Sequence, residues 1–411
     1  MNPQPGERRY DVFHDSRVMG EWTGWHWGAT KKDAVRQIKE PQEFEWGLVE
    51  DQLAWARLHG TTRREALKRW NVWRSEHPEW NPYAFATNRL TVLDGDPGTD
   101  DFAAMLILAK QGNRAEHFPD VCVATYGNAK GETTLLNMML GAWYLGTSPI
   151  IVRGAAKPNQ YGTVMASGFH GEDGMGGVAR GLIRRFHLTE ERAKRFTHSQ
   201  EDIIRLVTES DDVTYIATGP LTTLAHLLDR VPMCEKHIKR LFVVGGFFGE
   251  AGRSDSNHVR LQNAERNLQA DGAATQRIFK SPLDITLFPL DLTLRRSQLN
   301  RKDIDALAAL RRSTVAVSCF RQNLDSNVKA SLSEDAAILH DALPAIYALH
   351  PDKFNVSDKC LVVNQQGRLS ENPDGRIVHV VLDMEPGFLF SSISNSVQKC
   401  FEPKETVSGQ D

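Results

Sequence analysis

Cysteine is scarce in this chain of 411 residues, and its five copies, Cys122, Cys234, Cys319, Cys360 and Cys400, are widely spaced with no Cys-x-x-Cys among them. An odd, scattered set of this kind suits reduced thiols in a cytosol better than a disulfide framework. No uninterrupted run of about eighteen apolar residues occurs, so no transmembrane helix is expected. The start, MNPQPGERRYDVFHDSR, lacks an apolar signal core as well, and the expected location is the cytoplasm. A surplus of one charge is also missing: 49 Lys and Arg stand against 52 Asp and Glu, a net charge of −3. That removes the electrostatic reason to expect nucleic acid or an anionic membrane as partner. Glycine-rich Phe169–Gly177 makes a poor phosphate cradle, because it has no Lys and follows no strand.

What the chain does have is ordinary hydrophobic content, 41%, and enough length for one large α/β domain plus further material. Residues 1–86 stand apart because they hold eight of the nine tryptophans: Trp22, Trp25, Trp27, Trp46, Trp55, Trp70, Trp73 and Trp80. Helical character over 43–59 and 62–75 predicts a mainly helical extension anchored by those rings, with 87–411 as the main domain. From residue 87 onward, short apolar runs alternate with helical stretches. Val121 to Asn128, Pro149 to Gly154, Thr214 to Thr218 and Leu241 to Val244 read as buried strands, and 133–145 as one of the intervening helices. This rhythm predicts an α/β fold, an open and mostly parallel sheet with helices on both faces.

One stretch organises the rest. Leu90-Thr91-Val92-Leu93 reads as a strand, Phe102 to Ala109 as a helix, and the turn between them is Asp94-Gly95-Asp96-Pro97-Gly98-Thr99-Asp100-Asp101. Such a turn lies at the carboxyl edge of a sheet, where α/β proteins bind ligands. Four carboxylates this close repel, each near pair by about 4 kcal/mol at 4 Å in a surface-like dielectric. Splaying into water, protonation or a hard cation each relieves the repulsion, and oxygen-only ligands favour Ca²⁺ or Mg²⁺. An EF-hand loop fails, since Thr99 and Met105 occupy its sixth and twelfth places. A haloacid dehalogenase phosphatase fits poorly, because Gly98 stands where Thr or Val is expected.

The string Asp94 to Asp101 resembles the amino-terminal signature of the inosine-uridine preferring nucleoside hydrolases, which cleave the N-glycosidic bond of ribonucleosides with a tightly held Ca²⁺. The likeness extends over about residues 88–400. Tyr126-Gly127-Asn128 is similar to the family's Gly-Asn after the second strand, and His170-Gly171-Glu172-Asp173-Gly174 to its loop over the nucleobase. Thr218-Gly219-Pro220-Leu221-Thr222-Thr223 resembles its Gly-Pro-Leu-Thr-Asn turn with Thr223 in place of Asn. Ala264-Glu265-Arg266-Asn267 resembles its Ala-Glu-x-Asn element, and Leu290-Asp291-Leu292-Thr293 its late aspartate turn. The carboxy-terminal portion, with Leu339-His340-Asp341-Ala342, carries no further independent chemical signal.

The resemblance implies that Ca²⁺ is held by Asp96, Asp101, the Thr218 carbonyl and Asp291, with Asp96 as the base that deprotonates a Ca²⁺-bound water. Asp100, Asn128, Asn257, Glu265, Asn267 and Asp291 would bind the ribonucleoside, and Asp94 would orient its neighbours. Many members carry a His immediately before the late aspartate as the acid for the departing base. Here that place is Leu290, which leaves His170, His258 or a stacking ring such as Phe247 or Phe248. The implied activity is a purine and pyrimidine nucleosidase in nucleoside salvage and purine metabolism, working as a homo-oligomer, dimer or tetramer. The alternative is a nucleoside-binding regulatory protein that keeps the Ca²⁺ pocket with little or no turnover.

Overall fold

The computed structural model describes residues 8–14, 21–28, 89–111, 119–145, 149–159, 197–249, 259–260, 264–310 and 336–399, with single positions between 173 and 193 and at 321. The described part of the extension is an antiparallel pair, β1 (Arg8–His14) and β2 (Glu21–Gly28). The helices expected over 43–59 and 62–75 lie outside the described residues.

Strand β3 (Arg89–Gly95) leads into helix α1 (Thr99–Gln111), and β4 (Val121–Ala124) into α2 (Gly131–Leu145), followed by β5 (Ile150–Arg153). Next come α3 (Gln200–Glu209), β6 (Asp212–Ala217), α4 (Thr222–Arg230), the one-turn α5 (Cys234–His237) and β7 (Ile238–Val244). Short strands β8 (Val259–Arg260) and β9 (Ala264–Glu265) pair with each other ahead of α6 (Arg266–Ala270) and α7 (Gly272–Phe279). Then follow β10 (Ile285–Phe288), α8 (Leu290–Arg296), β11 (Gln298–Asn300), α9 (Arg301–Leu310) and β12 (Ala336–Ile338). Helix α10 (Ala342–Leu349), strands β13 (Phe354–Val363), β14 (Leu369–Glu371) and β15 (Arg376–Met384), and α11 (Phe388–Lys399) complete the described chain.

Nine strands form one sheet in the order β14-β13-β15-β10-β7-β6-β3-β4-β5. The run from β15 to β5 is parallel, and β13 and β14 close the edge antiparallel. Strand order reverses at β3: the chain goes one way to β4 and β5, then returns to β6 on the other side. Loops leave such a switch point in opposite directions and open a crevice at the strands' carboxyl ends. The acidic turn stands at that point.

Both faces of the sheet are covered, which explains why its strands read as nearly continuous apolar runs. On β3, Leu93 packs with α1, α2, α10 and α11, whereas Leu90 and Val92 face the layer of α3, α4 and α7. Tyr347 of α10 meets Phe242, Phe288 and Phe354 edge to face, at centroid distances of 5.2, 5.5 and 5.2 Å. This cluster lays α10 across β7 and β10. Its N-terminus is thereby fixed near the start of α1.

The apolar run from Ile285 continues as strand only to Phe288. Pro289 has no N–H to donate to the ladder, and from Leu290 the chain is helical. Asp291 is therefore in the first turn of α8.

Candidate active site

The end of β3 is held from both sides. Thr125 Oγ1, beyond β4, donates to Asp94 Oδ1 at 2.6 Å, and Tyr215 OH, from β6, donates to Asp94 Oδ2 at 2.6 Å. The Asn128 amide N–H donates to Asp96 Oδ2 at 2.7 Å, and Asn128 Nδ2 to the Asp96 carbonyl at 3.0 Å. Asp101 Oδ1 accepts from Thr218 Oγ1 at 2.8 Å, and its Oδ2 from the Gly98 amide at 2.9 Å. Asp94, Asp96, Asp100 and Asp101 are all buried. Asp100 and Asp101 sit in the first turn of α1, where the partial positive charge of the helix end favours carboxylates.

Glycines make room for this packing. A Cβ on Gly127 would fall 1.9 Å from Asp96 Oδ2, and one on Gly95 would fall 2.3 Å from Asp101 Oδ1. No side chain fits at either place.

A further carboxylate joins the turn, and it is Asp341. Single oxygens of Asp100, Asp101 and Asp341 lie within 4.8 Å of one another, all three residues being buried. Asp341 precedes the first turn of α10, the helix that the Tyr347 cluster fixes. Asp291, expected to converge with the early aspartates, is not in this group. Its Oδ2 accepts the Phe248 amide at 2.6 Å and its Oδ1 the Gly249 amide at 2.8 Å, which ties α8 to the loop after β7. The helical start at Pro289 turns its carboxylate to those amides. The residue before Asp341 is His340, buried, with Nδ1 sharing a hydrogen bond of 2.7 Å with Thr293 Oγ1. A His-Asp pair therefore does stand at the site, but fifty residues beyond Leu290-Asp291. The Leu-Asp-Leu-Thr turn supplies that histidine's partner, Thr293.

The remaining expected residues divide as follows. The Thr218 carbonyl faces Asn267, whose Nδ2 donates to it at 2.8 Å. Glu265 is buried and caps α6, accepting from the amides of Asn267 at 2.9 Å and Leu268 at 3.1 Å. His170, Asn257 and His258 lie outside the described residues.

Burial sets the proton affinities of the cluster. It raises Asp94 to about 7, against which the Thr125 and Tyr215 hydrogen bonds pull down. Asp101 is also raised to about 7, by burial first and then by the charge of Asp100. Asp96 and Asp341 are pushed well above the usual carboxylate range, by burial first and then by their acidic neighbours. A carboxyl raised on folding keeps a proton that the unfolded chain releases near pH 4. Its stabilising contribution is complete below that pH and is lost as pH climbs through the folded value. The thermal midpoint of chelator-treated protein is expected to fall between pH 5 and pH 7.5, and saturating Ca²⁺ to restore it most at the upper end. A midpoint independent of both pH and cation would contradict the burial of these charges.

The family model for inosine-uridine preferring nucleoside hydrolases matches residues 91–387. The chain belongs to that family. A pyrimidine-specific ribonucleoside hydrolase of an Enterobacter species is 28% identical over 287 residues, 68% of this chain and 85% of the relative. A non-specific ribonucleoside hydrolase of Escherichia coli is 28% identical over 280 residues, 68% and 84% of the two chains. Among solved structures, an inosine-uridine preferring nucleoside hydrolase from Bacillus anthracis aligns with a TM-score of 0.59 at 21% identity, covering 76% of this chain and 99% of that one. A plant nucleoside hydrolase aligns with a TM-score of 0.62 at 20% identity, covering 75% and 98%. Those two likenesses show the nucleoside hydrolase fold.

The donor set fits a hard divalent cation, as expected of a nucleoside hydrolase. Asp100, Asp101 and Asp341 offer only oxygen, they converge, and a hard cation among them relieves their mutual repulsion. Sequence reading missed Asp341 because its neighbourhood, Ala336 to Ala345, is apolar and reads as core. The usable signal was an ionisable pair, His340-Asp341, in that apolar run, since such groups are rarely buried without a function or a partner.

Proposed function

We propose that this protein hydrolyses the N-glycosidic bond of ribonucleosides to free base and ribose, with Ca²⁺ held by Asp96, Asp101, the Thr218 carbonyl and Asp341. The observation that carries this reading is the convergence of Asp100, Asp101 and Asp341 at the switch point, with His340 adjoining. A divalent ion in such a place lowers the pKa of water and neutralises the acids around it. Asp96 takes the proton of the attacking water. The Asn128 amide fixes one Asp96 oxygen and so sets the direction of the other. Asn267, by donating to the Thr218 carbonyl, aims that group while its second lone pair stays open to a cation.

N-glycoside cleavage develops positive charge on the ribose ring, as in glycosidases. Asp100, Asn128, Glu265 and Asn267 hold the sugar, and the concentration of carboxylates beside it favours the flattened cation over the neutral nucleoside. Asp291 passes from the ligand set to a positioning role, keeping the Phe248-Gly249 loop against α8. His340 protonates the departing base, its Nδ1 engaged by Thr293 so that the ring is held in one orientation. His170, and Asn257 in the ribose grip, remain proposals from the sequence.

The same reading includes a role in nucleoside salvage and purine metabolism, a cytoplasmic setting and a homo-oligomer. Among the described residues, no helix is long and apolar enough to cross a membrane. The presence of His340 beside Asp341 removes the reason for preferring a binding protein without turnover, which rested on a missing acid. Incubation with inosine, uridine, adenosine and cytidine, with and without chelator, tests the activity. Free ribose that disappears with chelator and returns with Ca²⁺ is expected; nucleoside binding with no ribose release from any of the four overturns hydrolysis.

A further inference from the structure

Helix α2 carries a buried amide that the proposed reaction does not use. Asn137 is 1% exposed, and its Nδ2 donates to the Pro97 carbonyl at 3.0 Å and to the Asp173 carbonyl at 2.8 Å. The assignment of nitrogen and oxygen follows from chemistry, because two carbonyls demand a donor between them. Both N–H groups of one side chain thus bind two segments that are 76 residues apart in sequence, Pro97 next to Asp96 and Asp173 within the His170–Gly174 stretch. Asn137 Oδ1 is buried with no hydrogen-bond partner among the described residues, an arrangement kept only where the other two bonds matter. The turn on the far side is tightly built. Asp173 Oδ1 accepts the amides of Met175 at 3.0 Å and Gly177 at 2.8 Å, and Oδ2 that of Arg180 at 3.1 Å. Gly174 has φ of +71°, and a Cβ there would stand 3.2 Å from both Asn137 Nδ2 and Ala129 Cβ.

We infer that Asn137 is a positioning residue for nucleoside fit: it fastens the Asp173–Gly177 turn to the acidic turn and so sets the distance between that loop and the carboxylates. This rests on the proposed nucleoside site. The chain grips the acidic turn from the β4–α2 side at three successive points, Thr125 on Asp94, Asn128 on Asp96 and Asn137 on Pro97. Thr125 carries its grip on to Thr223 Oγ1 at 2.7 Å, and Asn137 carries its own across to the Asp173 turn.

The test uses the full chain and two variants that attack the tie from opposite sides, Asn137→Ala and Gly174→Ala. Hydrogen exchange should quicken about ten-fold at the Met175, Gly177 and Arg180 amides in each, with the amides of α2 and β3 unchanged, two bonds to one amide being worth roughly that factor. In the ribose assay KM should rise about ten-fold while kcat stays within about three-fold, and calcium content should be unaltered. The two substitutions together should cost less than the product of their separate effects, because they break one contact. Exchange at 175–180 that does not change in folded variants overturns the tie. Faster exchange with unchanged KM reduces Asn137 to a structural residue and overturns the positioning role. If the parent chain releases no ribose, the hydrolase reading fails by itself. The exchange arm then still decides the tie, and the dissociation constant for inosine, measured by calorimetry, replaces KM.

Discussion

Asp341→Asn is expected to strip calcium from the protein and take turnover with it, whereas Asp291→Asn should retain the ion. The two residues occupy different environments despite the similar look of their sequence neighbourhoods. Asp341 is buried, with Asp100, Asp101 and Asp96 as its charged neighbours. Replacing one of few oxygen ligands weakens a metal site by at least the ~10–100-fold that even outer partners are worth. Asp291 instead accepts two backbone amides, and losing its charge should destabilise the fold by about 1–3 kcal/mol without emptying the site. Metal content after dialysis, kcat/KM and thermal midpoint, measured on both variants, separate the cases. The reverse pattern, calcium lost from Asp291→Asn and kept by Asp341→Asn, would return the late aspartate of the Leu-Asp-Leu-Thr turn to the site.

The second large effect falls on a residue proposed as both base and calcium ligand, so it is measured at saturating Ca²⁺. Asp96→Asn keeps the shape and the Asn128 contacts but cannot accept a proton, so kcat should fall by about 10²–10⁴, the range a general base supplies. Stability should move the other way. Asp96 is pushed far up by burial and by Asp101 and Asp100, so in metal-free protein at neutral pH a neutral amide should raise the thermal midpoint. Activity and stability are opposed at this position. His340→Ala should give a smaller loss that depends on the base, greatest where the departing base most needs a proton. Equal loss in both variants with all four nucleosides would deny His340 a separate role.

The sheet and the acidic turn were legible because local chemistry dictates them. Apolar runs buried on two faces leave little else for the strands to be, and four aspartates around Pro97 and Gly98 have few stable arrangements. The placement of Asn128 and Thr218 beside that turn was legible for the same reason, each lying just past the carboxyl end of a strand adjacent to β3. Asp341 was not, because its place depends on α10 crossing β7 and β10 through the Tyr347, Phe242 and Phe288 rings, a contact among residues up to 105 positions apart. Nothing near residue 341 announces that packing. The position of Asp291 follows from a local rule that was available: Pro289 ends a central strand, and a carboxylate two residues later belongs to a helix start. Asn137 shows the other limit, since an Asn within a helical pattern says nothing of which two loops its amide joins.

The glycines under the acids have a consequence for how this protein can be altered. With Gly95, Gly127 and Gly219 each leaving a carboxylate less than 3 Å from where a methyl would stand, the floor of the site cannot be reshaped by substitution without displacing the acids themselves. A library randomised at those three positions should return only the parent residue among active clones.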